Sequence, residues 1–476
     1  MPAPDSSPRS RRRRTTQLEK LVTAHFLILV VFTSWAFAGQ AAWVRQAITL
    51  WGAIGGVLFI FAAQGQGASV VRLLWPLAVY DGLVAGSCLN PGMKEMLEHG
   101  TRVLVVADPI PWLPSAAVPR DAATELALFN AIVISAFNLW LALSGRGAIR
   151  RLLLIMSANA VALAVFGTFQ KLSRAGGLWF GLVHSPNDKF FSTFIYHNHW
   201  GAFTLLNTTA CLGLLFHAVR RGGTRDVWHS PVLMGAVVTL LLAATVPLSA
   251  SRSCTTLMAL LLTGALLHFL ARLIRRRREQ HESAVLPVAG IVLAVLIALA
   301  AVAYLGRDVI AQRAALTSRQ LAGIATEDTL NSRLALYRDT WRMAMAKPWF
   351  GWGLESYPHV FRIFNSQRTV ETWWWIPFYA RAHNDWLQSL AETGFVGTIL
   401  LALLVLLPLA QVRWRDQDAF VPRYLLAGCA IILLYAWVEF PFDCPAVLLT
   451  FGAHFYAGVR YAMLDVRAQD EERLPP

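Results

Sequence analysis

Three side chains in this sequence have the chemistry needed to move a group from a diphosphate to a hydroxyl. His383, in YARAHNDW, carries an imidazole, the side-chain type that most often serves as a general base. Arg252, in SASRSC, and Arg333, in NSRLALYRDTW, carry planar forks of N–H donors that match phosphate oxygens. Each has a structural alternative: a core histidine, an arginine that snorkels to a membrane interface, and a solvated helix charge. If the three converge, they form a site for a diphosphate and an acceptor hydroxyl.

The composition places these residues in an integral membrane protein. Of the 476 residues, 56% are hydrophobic and 15% are charged, whereas soluble domains have about 45–50% apolar and about 25% charged residues. Apolar runs long enough to cross a bilayer recur along the chain. We therefore expect an all-α fold of about twelve transmembrane helices. The predicted spans are centred on residues 22–38, 46–64, 73–89, 124–143, 152–169, 200–217, 231–249, 255–273, 286–305, 394–411, 424–438 and 445–462.

Short basic segments indicate which side faces the cytoplasm. With twelve spans, the N-terminal SPRSRRRR and the basic loops all fall on one side, which the positive-inside rule assigns to the cytoplasm. These loops are residues 145–151, 219–225, 272–278 and 412–423. Because the net charge of +14 is dispersed over them, it indicates topology and gives no reason to expect a nucleic-acid partner. Both termini are expected in the cytoplasm.

This threading divides the chain into five parts. A basic tail (1–20) precedes spans one to nine (21–305), and spans ten to twelve (394–463) precede a cytoplasmic tail (464–476). Between the two groups of spans lies the largest external segment, a loop domain over residues 306–393. Chemistry in water on the outer side is therefore expected in this loop domain.

The loop domain contains a predicted amphipathic helix. Leu334, Tyr337, Trp341 and Met345 recur at intervals of three or four, which predicts an apolar stripe on a helix that stops near Pro348. A short aromatic helix is expected in ESYPHVFRIF. The tryptophan triplet further on, in WWWIPF, is typical of a membrane interface and is also compatible with a platform for sugar rings.

A second helix is predicted at the end of the loop domain. It starts at His383 or Asn384, and Gly394 ends or bends it just before the tenth span. His383 is thus expected at a helix N-terminus on the external membrane surface.

These residues resemble the O-antigen ligase and polymerase family. The pattern consists of His383 and Asn384, nine residues, Gly394, two residues and Gly397. SRLALYRDTW, about fifty residues upstream, and the SRS turn after the seventh span also resemble the family. FIYHNHWGAF resembles the family's entry to the preceding span through Asn198. The resemblance covers roughly residues 190–410, and the family's span count agrees with twelve.

The resemblance implies a glycosyltransferase that works without metal or cofactor at the periplasmic face of the bacterial inner (plasma) membrane. It would transfer a glycan from undecaprenyl diphosphate to an acceptor hydroxyl, in lipopolysaccharide or surface-polysaccharide biosynthesis. His383 would be the catalytic base or assist at the diphosphate, which Arg252 and Arg333 would bind. Asn384 and Asn198 would contribute to substrate binding. The implied partners are the lipid-linked glycan donor, a glycan or lipid A core acceptor, and the bilayer.

Other functions stay open at this point. A polysaccharide polymerase and a protein O-oligosaccharyltransferase would use the same donor and differ in the acceptor. An ion-coupled transporter is the alternative of another class, suggested by Asp81 in the middle of the third predicted span. Against transport, the sequence shows no second acid near a span centre and no evident internal repeat.

A metal site and a disulfide framework are not expected. His197 and His199 point to opposite sides of an extended segment, or lie about 200° apart on a helix. The five cysteines form no C-x-x-C pair. A disulfide between Cys254 and Cys444, both at predicted external span ends, is left open.

Overall fold

The computed structural model describes residues 8–99, 101–221, 230–293, 328–366, 378–414 and 419–473. Two compact units divide the chain. The first comprises residues 1–255, 340–365 and 378–476, and the second comprises residues 256–339 and 366–377. Within the described residues, the candidate catalytic histidine and its surroundings lie in the first unit.

Long helices make up most of the described chain, which confirms the mostly helical class. Short 3-10 turns cover Phe37–Gly39, Trp179–Gly181 and Pro441–Asp443. In chain order the helices are α1 (Pro8–Trp35), α2 (Ala42–Ala62), α3 (Gly67–Cys88), α4 (Pro119–Ala142), α5 (Arg146–Leu172), α6 (His197–Arg221), α7 (Pro231–Leu248), α8 (Arg252–Glu279), α9 (Asp328–Ala346), α10 (Tyr357–Phe364), α11 (Asp385–Leu409), α12 (Phe420–Tyr435) and α13 (Pro445–Arg473).

Nine helices in the described part are long and apolar enough to cross a membrane, namely α1 from Gln17 onward, α2 to α8, and α11. Helix α12 is apolar but shorter, and α13 covers the last predicted span. The ninth predicted span, 286–305, lies mainly outside the described residues, although residues 285–293 are helical. The structure thus supports an integral membrane fold, while the number twelve stays a prediction.

A β-hairpin interrupts the helical pattern in the external segment after α3. Strands β1 (Met93–Glu98) and β2 (Thr101–Val106) pair antiparallel, with Met93 opposite Val106. The valines of TRVLVV favour an extended backbone. The sequence patterns predicted only helices and did not predict this hairpin. Each strand has six residues, too few to be recognised as a membrane span.

Helix α9 confirms the predicted amphipathic helix but buries a different face. It ends two residues before Pro348, as expected. Leu334 and Trp341 of the predicted stripe are 59% and 49% exposed, whereas Leu336 and Met343 are buried. Both sets recur at helical spacing, so local periodicity did not decide between them and tertiary packing did.

Helix α11 is broken at Gly394, which confirms the predicted bend. Gly394 has φ 65° and ψ −171°, and the backbone groups freed by the break pair with residues 348–353. The Phe395 N–H donates to the Pro348 carbonyl at 2.8 Å, and the Gly353 N–H donates to the Glu392 carbonyl at 2.7 Å. Since a Cβ at Gly394 would lie 2.3 Å from the Trp349 carbonyl oxygen, only glycine fits.

We expect Gly394→Ala to lower the melting temperature of the detergent-purified protein or to prevent its accumulation. At φ 65° and ψ −171°, a backbone region almost restricted to glycine, alanine costs about 1–3 kcal/mol, and its Cβ would also overlap the Trp349 carbonyl. Gly82→Ala on α3, where nothing lies within 4 Å of the added carbon, is the control and should melt like wild type. Identical melting of the two variants would contradict this account of the break.

Candidate active site

His383 is held at the start of α11 in a backbone conformation rare for a residue with a side chain. Its φ is 51°, and strain of this kind clusters at functional sites. Asn384 is the N-cap of the helix, and its Oδ1 accepts a hydrogen bond from the Leu387 N–H at 2.9 Å. The predicted helix start is confirmed, with Asn384 as the capping residue.

A buried carboxylate orients the His383 ring. His383 Nδ1 lies 3.4 Å from Glu439 Oε2, and the Glu439 side chain is only 3% exposed. The Phe440 ring packs edge-on against the imidazole, with the ring centroids 4.8 Å apart. Because a carboxylate only accepts hydrogen bonds, Nδ1 carries the proton in this contact and the lone pair of the neutral ring lies on Nε2.

Two further donors fix the Glu439 carboxylate from the start of α6. Asn198 Nδ2 donates to Glu439 Oε1 at 2.8 Å, and the Tyr196 hydroxyl donates to Oε2 at 3.3 Å. Asn198 Oδ1 in turn accepts from Ser251 Oγ at 2.6 Å. Ser251 directly precedes Arg252 at the start of α8, so one hydrogen-bonded network joins the His383 segment to the turn that carries Arg252.

The predicted site residues occupy different places with respect to this hydrogen-bonded network. His383, Asn198 and the Arg252 turn share the network, and Asn384 caps the adjacent helix. Arg252 is exposed as the first residue of α8, after a link of three residues from α7. Arg333 lies in the second unit, exposed on α9. Asn198 and Asn384 are buried and bonded to protein groups, which differs from the exposed position expected of residues that contact substrate.

Glu439 and Tyr196 were not among the predicted site residues. A signal for Glu439 was present, since it follows the apolar run 424–438 directly, and an acid so close to the hydrocarbon core is costly unless other groups pair with it. Tyr196 gave no comparable signal, because only the folded chain shows that its hydroxyl reaches the carboxylate.

A second charged cluster lies two residues before His383. Arg381 Nε donates to Asp443 Oδ1 at 2.7 Å, and another Arg381 nitrogen donates to Glu355 Oε1 at 2.7 Å. Burial alone would raise the pKa of the Asp443 carboxyl, but Arg381, with His199 and Arg45, outweighs burial and holds that pKa below its usual range. Although burial opposes the charged guanidinium, Asp443 and Glu355 raise the pKa of Arg381 further above its ordinary value.

The two histidines of FIYHNHW lie in the first turn of α6. His197 is the first residue of α6, and the His199 Nε2–H donates to the Phe440 carbonyl at 3.2 Å. Within the ranges that the structure describes, no group of three or more His, Cys, Asp or Glu side chains is arranged to hold a metal ion.

The transporter alternative and the possible disulfide rest on Asp81 and on the cysteines. Asp81 Oδ1 accepts a hydrogen bond from Asn130 Nδ2 on α4 at 2.9 Å, so it joins two neighbouring helices.

All five cysteines lie in described parts of the chain and are free thiols. The disulfide left open between Cys254 and Cys444 is therefore not formed in this structure.

These observations define a multi-helix membrane protein with a histidine–carboxylate pair at the start of a broken helix. Residues 237–402 match the family model described as O-antigen ligase, which confirms the resemblance to that family. At a general level, the match supports polysaccharide biosynthesis by a glycosyltransferase-like protein with a lipid-linked glycan substrate. The matched segment contains Arg252, Arg333 and His383, whereas Asn198 and Glu439 lie outside it. No curated protein matches the chain.

We expect Asp443→Asn to lower the melting temperature at neutral pH, because it removes charge-assisted hydrogen bonds from Arg381 that are each worth about 1.5–3 kcal/mol. The folded-state pKa of Asp443 is lowered, so the stability it contributes is present above its unfolded pKa of about 3.9. It is lost as the pH falls through the folded-state value. The difference in melting temperature between wild type and variant should therefore be steady near neutral pH and shrink in acid. A difference that grows in acid would contradict this.

Proposed function

We propose that this protein transfers a glycan from undecaprenyl diphosphate to an acceptor hydroxyl at the periplasmic face of the bacterial inner membrane. The contact between His383 and the buried Glu439 is the observation that carries the proposal. The pair has the arrangement of a general base and its orienting acid. The match of residues 237–402 to O-antigen ligases supports the choice of substrate class.

In the proposed reaction the acceptor oxygen attacks the anomeric carbon of the donor glycan. The hydroxyl proton passes to His383 Nε2 as the new C–O bond forms. The bond between the anomeric carbon and the phosphate oxygen breaks, and its electron pair stays on undecaprenyl diphosphate. The products are the glycosylated acceptor, undecaprenyl diphosphate and a protonated His383 that returns its proton to water. Glu439 stabilises the imidazolium that forms.

The leaving diphosphate gains negative charge in this step, and we assign Arg252 and Arg333 to it. A guanidinium fork binds two phosphate oxygens at once. Arg252 is the first residue of the 28-residue helix α8, so the partial positive charge of the helix N-terminus adds to its own. Since diphosphate is already a good leaving group, charge neutralisation and positioning suffice in this scheme without a metal.

We assign positioning roles to the two asparagines. Asn198 holds the Glu439 carboxylate with its amide N–H and the Ser251 hydroxyl with its amide oxygen. Asn384 fixes the first turn of α11 next to His383. Neither side chain needs to contact substrate for the transfer to depend on it.

The other candidate functions either use the same site or fit it less well. A polymerase or a protein O-oligosaccharyltransferase would carry out the same step on another acceptor. A transporter explanation would rest on Asp81, which is bonded to Asn130 on α4. It would also leave the oriented histidine without a role.

We expect His383→Ala to insert and fold, since Asn198 and Tyr196 still donate to Glu439, and to lose transfer from undecaprenyl-diphosphate-linked glycan. General base catalysis typically contributes about 10² to 10⁴ in rate, so little activity should remain in a reconstituted assay. His359→Ala is the matched control: its side chain is 28% exposed and pairs with Asp121, against 30% for His383. Wild-type turnover by His383→Ala would remove histidine from the mechanism.

The proposed role of the arginines predicts that a positive charge alone does not sustain the rate of glycan transfer. Arg252→Lys and Arg333→Lys keep the charge and lose the bidentate fork. Transfer should fall by about a hundredfold if about 2–3 kcal/mol of charge-assisted bonding is lost. Arg338→Lys, at another exposed arginine of α9, should retain activity. If both lysine variants turn over lipid-linked donor at the wild-type rate, the diphosphate assignment fails.

A further inference from the structure

The first turns of α5 bring two arginine guanidinium groups close together. A Cβ added at Gly147 would lie 3.9 Å from Arg150 Nη2 and 4.0 Å from Arg151 Nη1. Both arginine side chains therefore extend back toward the same point at the start of the helix, the direction that helical side chains prefer. A single phosphate group near that point is within reach of both guanidinium groups.

The charge of this arginine pair is not balanced by an acid. Arg150 Nη1 donates to the neutral hydroxyl of Tyr461 on α13 at 2.9 Å. Arg151 is exposed and has no hydrogen bond or ion pair to any residue that the structure describes. Asp465, an acid at this end of the fold, pairs with Arg146. The two guanidinium groups thus present positive charge to a ligand.

Arg151 begins the lipid-facing side of α5, a helix that is long and apolar enough to cross the membrane. Four large apolar residues within about 60° of Arg151 around the helix axis are between 39% and 63% exposed, namely Leu154, Ile155, Val165 and Phe169. Phe169 is 18 positions after Arg151 in the sequence, which at about 1.5 Å per residue is roughly 27 Å of helix. That length nearly equals the hydrocarbon core of about 30 Å, so Arg151 lies at one boundary of the core, at the depth of lipid phosphates.

Charge and depth together indicate which ligand fits. A guanidinium fork matches the oxygens of a phosphate group, and basic groups at the ends of membrane helices bind anionic head groups. A free phosphate ion would leave the exposed apolar side of α5 uncovered, whereas acyl chains would cover Leu154 and Ile155, which follow Arg151 by one turn. A choline head group would add a cation next to two guanidinium groups, which costs free energy.

We propose that Arg150 and Arg151 bind the phosphate of an anionic phospholipid whose acyl chains lie along the exposed side of α5. The lipid belongs to the leaflet at which α5 begins. It is a bound structural lipid and not a substrate, so the inference does not depend on glycan transfer. Because Tyr461 holds Arg150 from α13, the bound lipid stabilises the contact between the ends of two helices.

The test measures lipid binding to the purified full-length chain in dodecyl maltoside by native mass spectrometry. The first molecule of dioleoyl phosphatidylglycerol should bind more tightly than dioleoyl phosphatidylcholine, which has the same acyl chains. The double variant Arg150→Gln, Arg151→Gln should bind phosphatidylglycerol about tenfold more weakly, since it loses charge-assisted hydrogen bonds to the phosphate. Equal affinity of wild type for the two lipids would overturn the proposal.

The double variant Arg275→Gln, Arg276→Gln is the matched control. These two arginines are also consecutive and exposed, near the end of α8, so the control removes the same charge from the end of another apolar helix. It should bind phosphatidylglycerol like wild type. An equal loss of affinity in the two double variants would indicate only a general attraction to positive charge and would contradict a site on α5.

Arg151→Gln decides the matter if the double variant on α5 does not fold. Arg151 has no hydrogen-bond partner to lose among the described residues, so this variant should fold and bind phosphatidylglycerol a few-fold more weakly. Wild-type affinity in folded Arg151→Gln would overturn the proposal. Inorganic phosphate in excess should not displace the lipid from wild type, and displacement would identify a site for a free anion instead.

Discussion

The rest of the site depends on the carboxylate of Glu439, whose side chain is only 3% exposed. A charge removed from water is costly unless hydrogen-bond donors surround it. Glu439 obtains its donors from two distant segments, Asn198 and Tyr196 at the start of α6 and His383 before α11. Satisfying this one side chain therefore places the histidine and, through the Asn198–Ser251 hydrogen bond, fixes the turn before Arg252.

The surroundings of His383 keep this arrangement rigid. On one side, Arg381 ties the segment to Asp443 and Glu355. On the other side, Asn384 caps α11, and the break at Gly394 locks the helix to residues 348–353 through backbone hydrogen bonds. Constraints on both sides explain how His383 can hold a φ of 51°, since a strained residue persists only where its neighbours determine its conformation.

The sequence predicted the features that depend on local signals. The cap at Asn384 and the bend at Gly394 follow from residue types that suit a helix start and a left-handed backbone, and the long helices follow from hydropathy. Glu439, Tyr196 and the Arg381–Asp443 pair were not predicted as a site, because their partners lie far away in sequence. The predicted apolar stripe of α9 did not identify its buried face, because two faces have helical spacing and only packing distinguishes them. The role of Arg333 beside the diphosphate stays a prediction.

The account depends most on His383 and Glu439 acting as one unit, and a double-mutant cycle tests this directly. The transfer rate from undecaprenyl-diphosphate-linked glycan would be measured for wild type, His383→Ala, Glu439→Gln and the double variant, with melting curves to verify folding. If Glu439 acts through the histidine, Glu439→Gln slows wild type but has little further effect once His383 is alanine. If the two single losses multiply in the double variant, the residues act independently and the proposed base–acid pair is wrong.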